Sequence, residues 1–147
     1  MQNYDPKVAA RVWERVQQPA PAAEDAATLL MLITETLQDV ALYQRLARKL
    51  PSHAQALRQM AMQLQKNADC LKGIYQLRTG DRAKVSPAPP KDRPVSPMLQ
   101  KCYAQGMGRI ARYESRIADP QHGPIYRQLA EEEQSRCQRL LEILGTQ

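Results

Sequence analysis

The chain has 147 residues, the length of one ordinary domain, with 43% hydrophobic and 24% charged residues, which excludes a disordered or collagen-like chain. Its main apolar run, Ala26 to Ile33, is far too short to cross a bilayer, and Cys70, Cys102 and Cys137 form no CxxC pair, so a disulfide scaffold is excluded and reduced thiols in the cytoplasm are expected. The net charge of +6 is spread thinly, with its densest stretch, Arg78 to Lys84, broken by Gly80 and Asp81; a solubilising surface is expected rather than a nucleic-acid site.

Asp5 followed by Pro6 has the form of a cap with proline at the first helical position and predicts a short helix over 5–17, with Val8, Val12, Trp13 and Val16 at helical spacing against the main body. The opening hexapeptide, Met1 to Pro6, shows neither the basic nor the apolar region of a secretory leader. After the break from Gln18 to Ala23, a helix is predicted over 24–49, closed by Pro51. Ser52 and Gln55 have capping-box spacing and predict a second helix over 52–78 that stops at Gly80. Residues 79–97 hold Pro87, Pro89, Pro90, Pro94 and Pro97, a stiff link able to reach ~50 Å at ~3 Å per residue. Ser96 and Pro97 open a third helix over 97–118, which stops before Asp119-Pro120, and a fourth is predicted over 124–144, ending at Gly145. Nothing alternates with a period of two, so the fold class is all-α.

Four helices joined by two short links and one long stiff link predict a bundle of two antiparallel hairpins. The long link spans about one helix length, as a crossover between parallel second and third helices requires. The hairpins also repeat each other. Arg58-Gln-Met-Ala61 echoes Arg127-Gln-Leu-Ala130, Leu71 and Leu140 each follow ten residues after that alanine, and Tyr43 matches Tyr113.

On these residues, from about Leu29 to Leu144 without the proline link, the chain resembles the ferritin-like, rubrerythrin-type family. That family places a glutamate seven residues before a tyrosine on helices one and three, and Glu-x-x-His on helices two and four. Residues three apart share a helix face, so the four helices aim their ligands at one point, where two irons activate dioxygen or peroxide. The equivalent positions here are Thr36, Leu64, Asn67, Gly106, Glu133 and Arg136, and a further family carboxylate on helix three falls at Arg109. Of the six, Glu133 alone keeps a metal-binding residue, so neither a di-iron centre nor any other cofactor is expected.

The apolar stripes place the same positions inward: Leu29, Ile33, Thr36, Val40, Tyr43, Ala47 and Leu50 on helix one; Leu57, Met60, Leu64, Asn67, Leu71 and Ile74 on helix two; Leu99, Tyr103, Gly106, Ile110, Tyr113 and Ile117 on helix three; Leu129, Glu133, Arg136, Leu140 and Ile143 on helix four. Glu35 and Glu114 stand at non-equivalent positions and do not make a shifted cage. Since a lone buried charge is costly, Glu133 and Arg136 are expected to pair with each other, or with Asn67 and the hydroxyl of Tyr43 or Tyr113. His53 and His122 read as turn residues on one end of the bundle. The cysteines and Met31, Met60, Met62 and Met98 read as core filler, and no nucleophilic triad has the required spacing.

The expected protein is therefore a non-catalytic, cytoplasmic relative of rubrerythrins that acts through protein association or in a structural role, with no membrane partner. The resemblance implies a homodimer. Two alternatives have different signatures. A divergent metal-dependent oxidoreductase or peroxide scavenger would bind stoichiometric iron through Glu133, with Glu35, Glu114 or a cysteine. A binder of a small anion or polar ligand would keep a pocket among Thr36, Asn67, Gly106 and Arg136.

Overall fold

The computed structural model describes residues 21–147, with side chains from Asp25 onward; the helix predicted over 5–17 lies outside them. Four α-helices follow in chain order: α1 (Pro21–Lys49), α2 (Ala54–Thr79), α3 (Val95–Glu114) and α4 (Gly123–Gly145). No strand occurs among the described residues, and none of their helices is long and apolar enough to cross a membrane.

Local chemistry sets the ends. Pro21 stands at the first position of α1, where its missing N–H costs nothing, and Arg48 and Lys49 sit in the last turn, facing the negative end of the helix dipole. Gly80 closes α2 at φ 79°, a left-handed conformation that glycine adopts freely, and its N–H donates to Gln76 O at 2.8 Å. The capping box predicted at Ser52 does not form. Pro51–His53 makes a separate 3-10 turn, His53 becomes the residue that precedes α2, and no side chain caps that end. Pro51 fixes its own φ and starts this tighter turn, which moves the helix start past Ser52. The third helix begins two residues before its predicted start and ends at Glu114, after which residues 115–122 form turns.

Helix directions follow from two apolar clusters. One gathers Leu29, Leu32 and Ile33 from the start of α1, Leu71 and Ile74 from the end of α2, Tyr113 from the end of α3 and Tyr126 and Leu129 from the start of α4. The other gathers Leu42 and Leu46, Leu57 and Leu64, Leu99 and Cys102, and Leu140 and Ile143 from the opposite ends. So α1 and α4 run one way, and α2 and α3 the other. The 80–94 crossover travels the full length of the bundle. Ala83 and Val85 pack on the first cluster, and at the far end Arg45 Nη1 donates to Pro90 O and Lys49 Nζ to Arg93 O, both at 2.9 Å.

An ionic lock closes the end near Asp25. Its carboxylate takes Arg116 Nη1 at 2.5 Å and Arg78 Nη1 at 2.9 Å, while Arg78 also pairs with Asp119 and Arg116 lies over the Tyr126 ring. Within the stripes, Leu50, Tyr103 and Ile117 are half-buried rather than central. Met60 and Met98 are core residues, but Met31 and Met62 are 69% and 64% exposed: each is adjacent to a core residue and turned about 100° away from it.

Candidate functional site

Between the two apolar clusters lies a polar layer to which every helix contributes an i, i+3 pair: Thr36 and Asp39 on α1, Leu64 and Asn67 on α2, Gly106 and Arg109 on α3, Glu133 and Arg136 on α4. All eight are buried, and Asp39, Arg109 and Glu133 are 0% exposed. The i, i+3 spacing stacks both members of each pair on the inward face, so the four pairs meet at mid-bundle.

Glu133 is the hub. Arg136 Nε donates to its Oε2 at 2.6 Å and Arg109 Nε to its Oε1 at 2.5 Å; Arg109 Nη2 lies in ion-pair range of the same oxygen but off the line of a hydrogen bond. Arg109 Nη1 then reaches Asp39 Oδ2 at 2.5 Å and Glu35 Oε1 at 3.3 Å. Arg136 Nη1 donates to Gln63 Oε1 at 2.7 Å and its Nη2 to Asn67 Oδ1 at 2.8 Å, and Asn67 Nδ2 donates to Glu132 Oε2 at 2.6 Å. Once its nitrogen is turned to face the carboxylate, the Gln105 amide donates to both oxygens of Asp39. Two buried guanidinium groups thus face two buried carboxylates, and the layer is neutral when both acids are ionised.

Gly106 makes room for this arrangement. A Cβ there would stand 2.6 Å from Cys137 Sγ and 3.2 Å from Glu133 Oε1. The carboxylate and thiol of α4 occupy the space that any other residue on α3 would fill.

The low-dielectric setting tunes the titratable groups. Burial pushes the Asp39 carboxyl up to about 7, against the opposing pull of Arg109. Burial alone would lower Arg109, but Glu133 and Asp39 outweigh it and hold the guanidinium above its ordinary value. Burial raises the Tyr43 and Tyr113 phenols and the Cys102 thiol, and it moves Cys137 to about 11. These thiols stay protonated and unreactive at neutral pH.

The predicted cluster of Glu133, Arg136 and Asn67 is therefore assembled. Tyr43 and Tyr113 are buried beside it, but neither hydroxyl hydrogen-bonds to those three residues; their rings belong to the flanking apolar clusters, the Tyr113 hydroxyl is buried without a partner, and α3 supplies Arg109 instead. Thr36 turns its hydroxyl to Leu32 O at 2.7 Å, and Leu64 is plain core. Glu35 pairs with Arg112 at 3.1 Å, whereas Glu114 sits on the outside accepting from Gln134, so the two do not converge. His53 and His122 lie at opposite ends of the bundle rather than together, since the two hairpin turns point opposite ways: His53 Nε2 is 3.2 Å from Thr146 Oγ1, and the His122 N–H donates to Asp119.

Asp39 is a site residue outside the inward stripe read from the sequence. The signal was present, because Asp39 follows Thr36 by the same three residues that separate Glu133 from Arg136.

The donor set does not fit an iron pair. Its two buried carboxylates are bridged by the Arg109 cation, and no group of three or more His, Cys, Asp or Glu side chains able to hold a metal occurs among the described residues. The arrangement fixes charge and orientation. No family model matches the chain, and no curated protein or solved structure matches it.

Proposed function

We propose that the chain is a ferritin-like protein of rubrerythrin type whose metal centre is replaced by a guanidinium–carboxylate layer, and that it acts through protein association rather than catalysis. The two antiparallel hairpins, the full-length crossover and the duplicated tyrosine and alanine positions support the family part of this reading. The observation that carries the functional part is Arg109. Its guanidinium lies between Glu133 and Asp39, at the helix-three position where the family resemblance implies a carboxylate, and satisfies both acids.

A fixed cation there repels a divalent metal and spends the lone pairs that would bind it. Arg136 is likewise engaged, with Nε on Glu133, Nη1 on Gln63 and Nη2 on Asn67, so an anion at this place would compete with three acceptors already held.

Elemental analysis after anaerobic iron loading, with the oxo-bridge absorbance followed on exposure to air, tests this. Less than about 0.1 iron per chain and no absorbance band is the expected result. About two irons per chain would overturn it and restore the oxidoreductase. Light scattering over a range of protein concentrations reads whether a second copy is one of the partners, as the resemblance implies.

A further inference from the structure

The outer face of the first hairpin carries a groove of about 590 Å³ between α1 and α2. Its floor is Val40, Ala47 and Ala61, with the 64% exposed Met62 on its lip. Its charged lining residues are Arg48, Arg58 and Lys66; no carboxylate lines it, and none of the three cations pairs with a described carboxylate. The stretches Val40 to Arg48 and Arg58 to Lys66 each rise ~12 Å, about two helical turns. Because the hairpin turns at 50–53, Arg48 and Arg58 flank one end of the groove and Lys66 the other.

We propose that this groove docks an amphipathic helix of a partner protein, one with acidic side chains at both ends of a two-turn apolar stripe. The proposal rests on the association reading and names the kind of partner. Alanines in the floor let a third helix approach closely, and a flexible methionine adapts to its side chains. Cations at both ends of the apolar floor match a ligand charged at both ends. A single-headed amphiphile would satisfy one end only. The basic rim is not imposed by the architecture. On the second hairpin the neighbouring groove, displaced along the helices and lined by Met107, Ile110 and Leu141, holds Glu114 and no cation; of the rim positions, only Arg58 has a basic counterpart, Arg127, whereas those of Arg48 and Lys66 are Ala118 and Ser135. A second copy offering that face would bring one acid against three cations. The chain's own first twenty residues carry Lys7, Arg11 and Arg15 against Asp5 and Glu14, a net charge of the wrong sign.

A random library of helical peptides displayed on phage, selected on the full chain and counter-selected on an Arg58→Glu/Lys66→Glu variant, tests the proposal. Both side chains are exposed, so the variant is expected to keep the wild-type melting temperature. Selected peptides should carry Asp or Glu on both sides of an i, i+3 or i+4, i+7 apolar stripe. Their affinity should fall at least ~10-fold in the double variant and stay unchanged in Arg127→Glu, on the other hairpin. Selection of peptides without acidic ends, or binding indifferent to Arg58→Glu/Lys66→Glu, would overturn the proposal. So would laurate binding beside Met62 in place of peptide, a dimer that Lys66→Glu dissociates, or peptide binding that appears only after residues 1–20 are deleted. Iron loading reads the association reading separately: uptake of metal would end that reading and leave the peptide result intact, and a failed selection would leave the metal-free centre standing.

Discussion

Asp39 and Arg109 are counterparts in the two hairpins, each four residues before its hairpin's tyrosine, and they bond to each other across the bundle at 2.5 Å. Asn67 and Arg136, each six residues after the repeated alanine, are likewise counterparts and likewise partners, at 2.8 Å. Equivalent positions of a duplicated hairpin face one another at the centre, so identical residues there would confront like with like. Opposite or complementary side chains remove that conflict.

Arg109 is therefore the most costly side chain in the layer to remove. Arg109→Met strands Asp39 without its cation and should cost about 3–5 kcal/mol in urea unfolding. Arg136→Met leaves Glu133 its bond to Arg109 and strands the Asn67 and Gln63 carbonyls, so a smaller loss of about 1–3 kcal/mol is expected. Adding Asp39→Leu to Arg109→Met should give a double variant less destabilised than the sum of the singles. Strict additivity would show that the pair does not interact.

Asp39 also gives the protein a pH signature of unusual sign. Its folded pKa of about 7 lies above the unfolded value of 3.8, so between those two values the folded state holds more protons. The contribution of this group to stability is thus full at low pH and declines as pH rises towards 7. Asp39→Asn removes the titration, and the stability of the variant relative to wild type should increase from pH 4.5 to pH 8, read as the difference between two melting curves at each pH. A difference that stays flat, or decreases, would place the folded pKa of Asp39 near its ordinary value.

Gly106→Ala sets helix propensity against packing. Alanine gains about 1 kcal/mol in a helix interior. Its Cβ collides with Cys137 Sγ, so a net loss of about 1–2 kcal/mol is expected in thermal unfolding. In a Cys137→Ala background the collision with sulfur disappears and the 3.2 Å approach to Glu133 Oε1 remains, so the loss from the same substitution should shrink.

Gly80→Ala forces a Cβ into a left-handed residue with open space around it. The cost is conformational alone, about 1 kcal/mol, and a loss well above that would mean that the turn has another function in the crossover.

Much of this architecture is written in single-helix patterns. Proline and glycine positions mark where α1, α2 and α4 end, although α3 stops at Glu114, four residues short of the end that Pro120 predicts; the 79–97 proline stretch dictates an extended crossover, and i, i+3 spacing turns Asn67, Glu133 and Arg136 inward because helical geometry alone sets which residues share a face. The start of α2 escaped that logic by two residues. Ser52 has the spacing of a cap, but Pro51 imposes a tighter turn, and the local competition is settled by backbone geometry rather than by side-chain type.

That Asp39 and Arg109 are interior, and that they pair, was decided only in three dimensions. Asp39 and Arg109 are polar residues beside apolar stripes, and each is affordable inside only because the other arrives from a different helix. Glu35 stands one residue from Thr36 and ends on the flank, held by Arg112, while Asp39 reaches the centre. The free energy of a buried charge depends on a partner many residues away in sequence, so periodicity fixes the face that a residue occupies and tertiary packing fixes whether a charge on that face is satisfied.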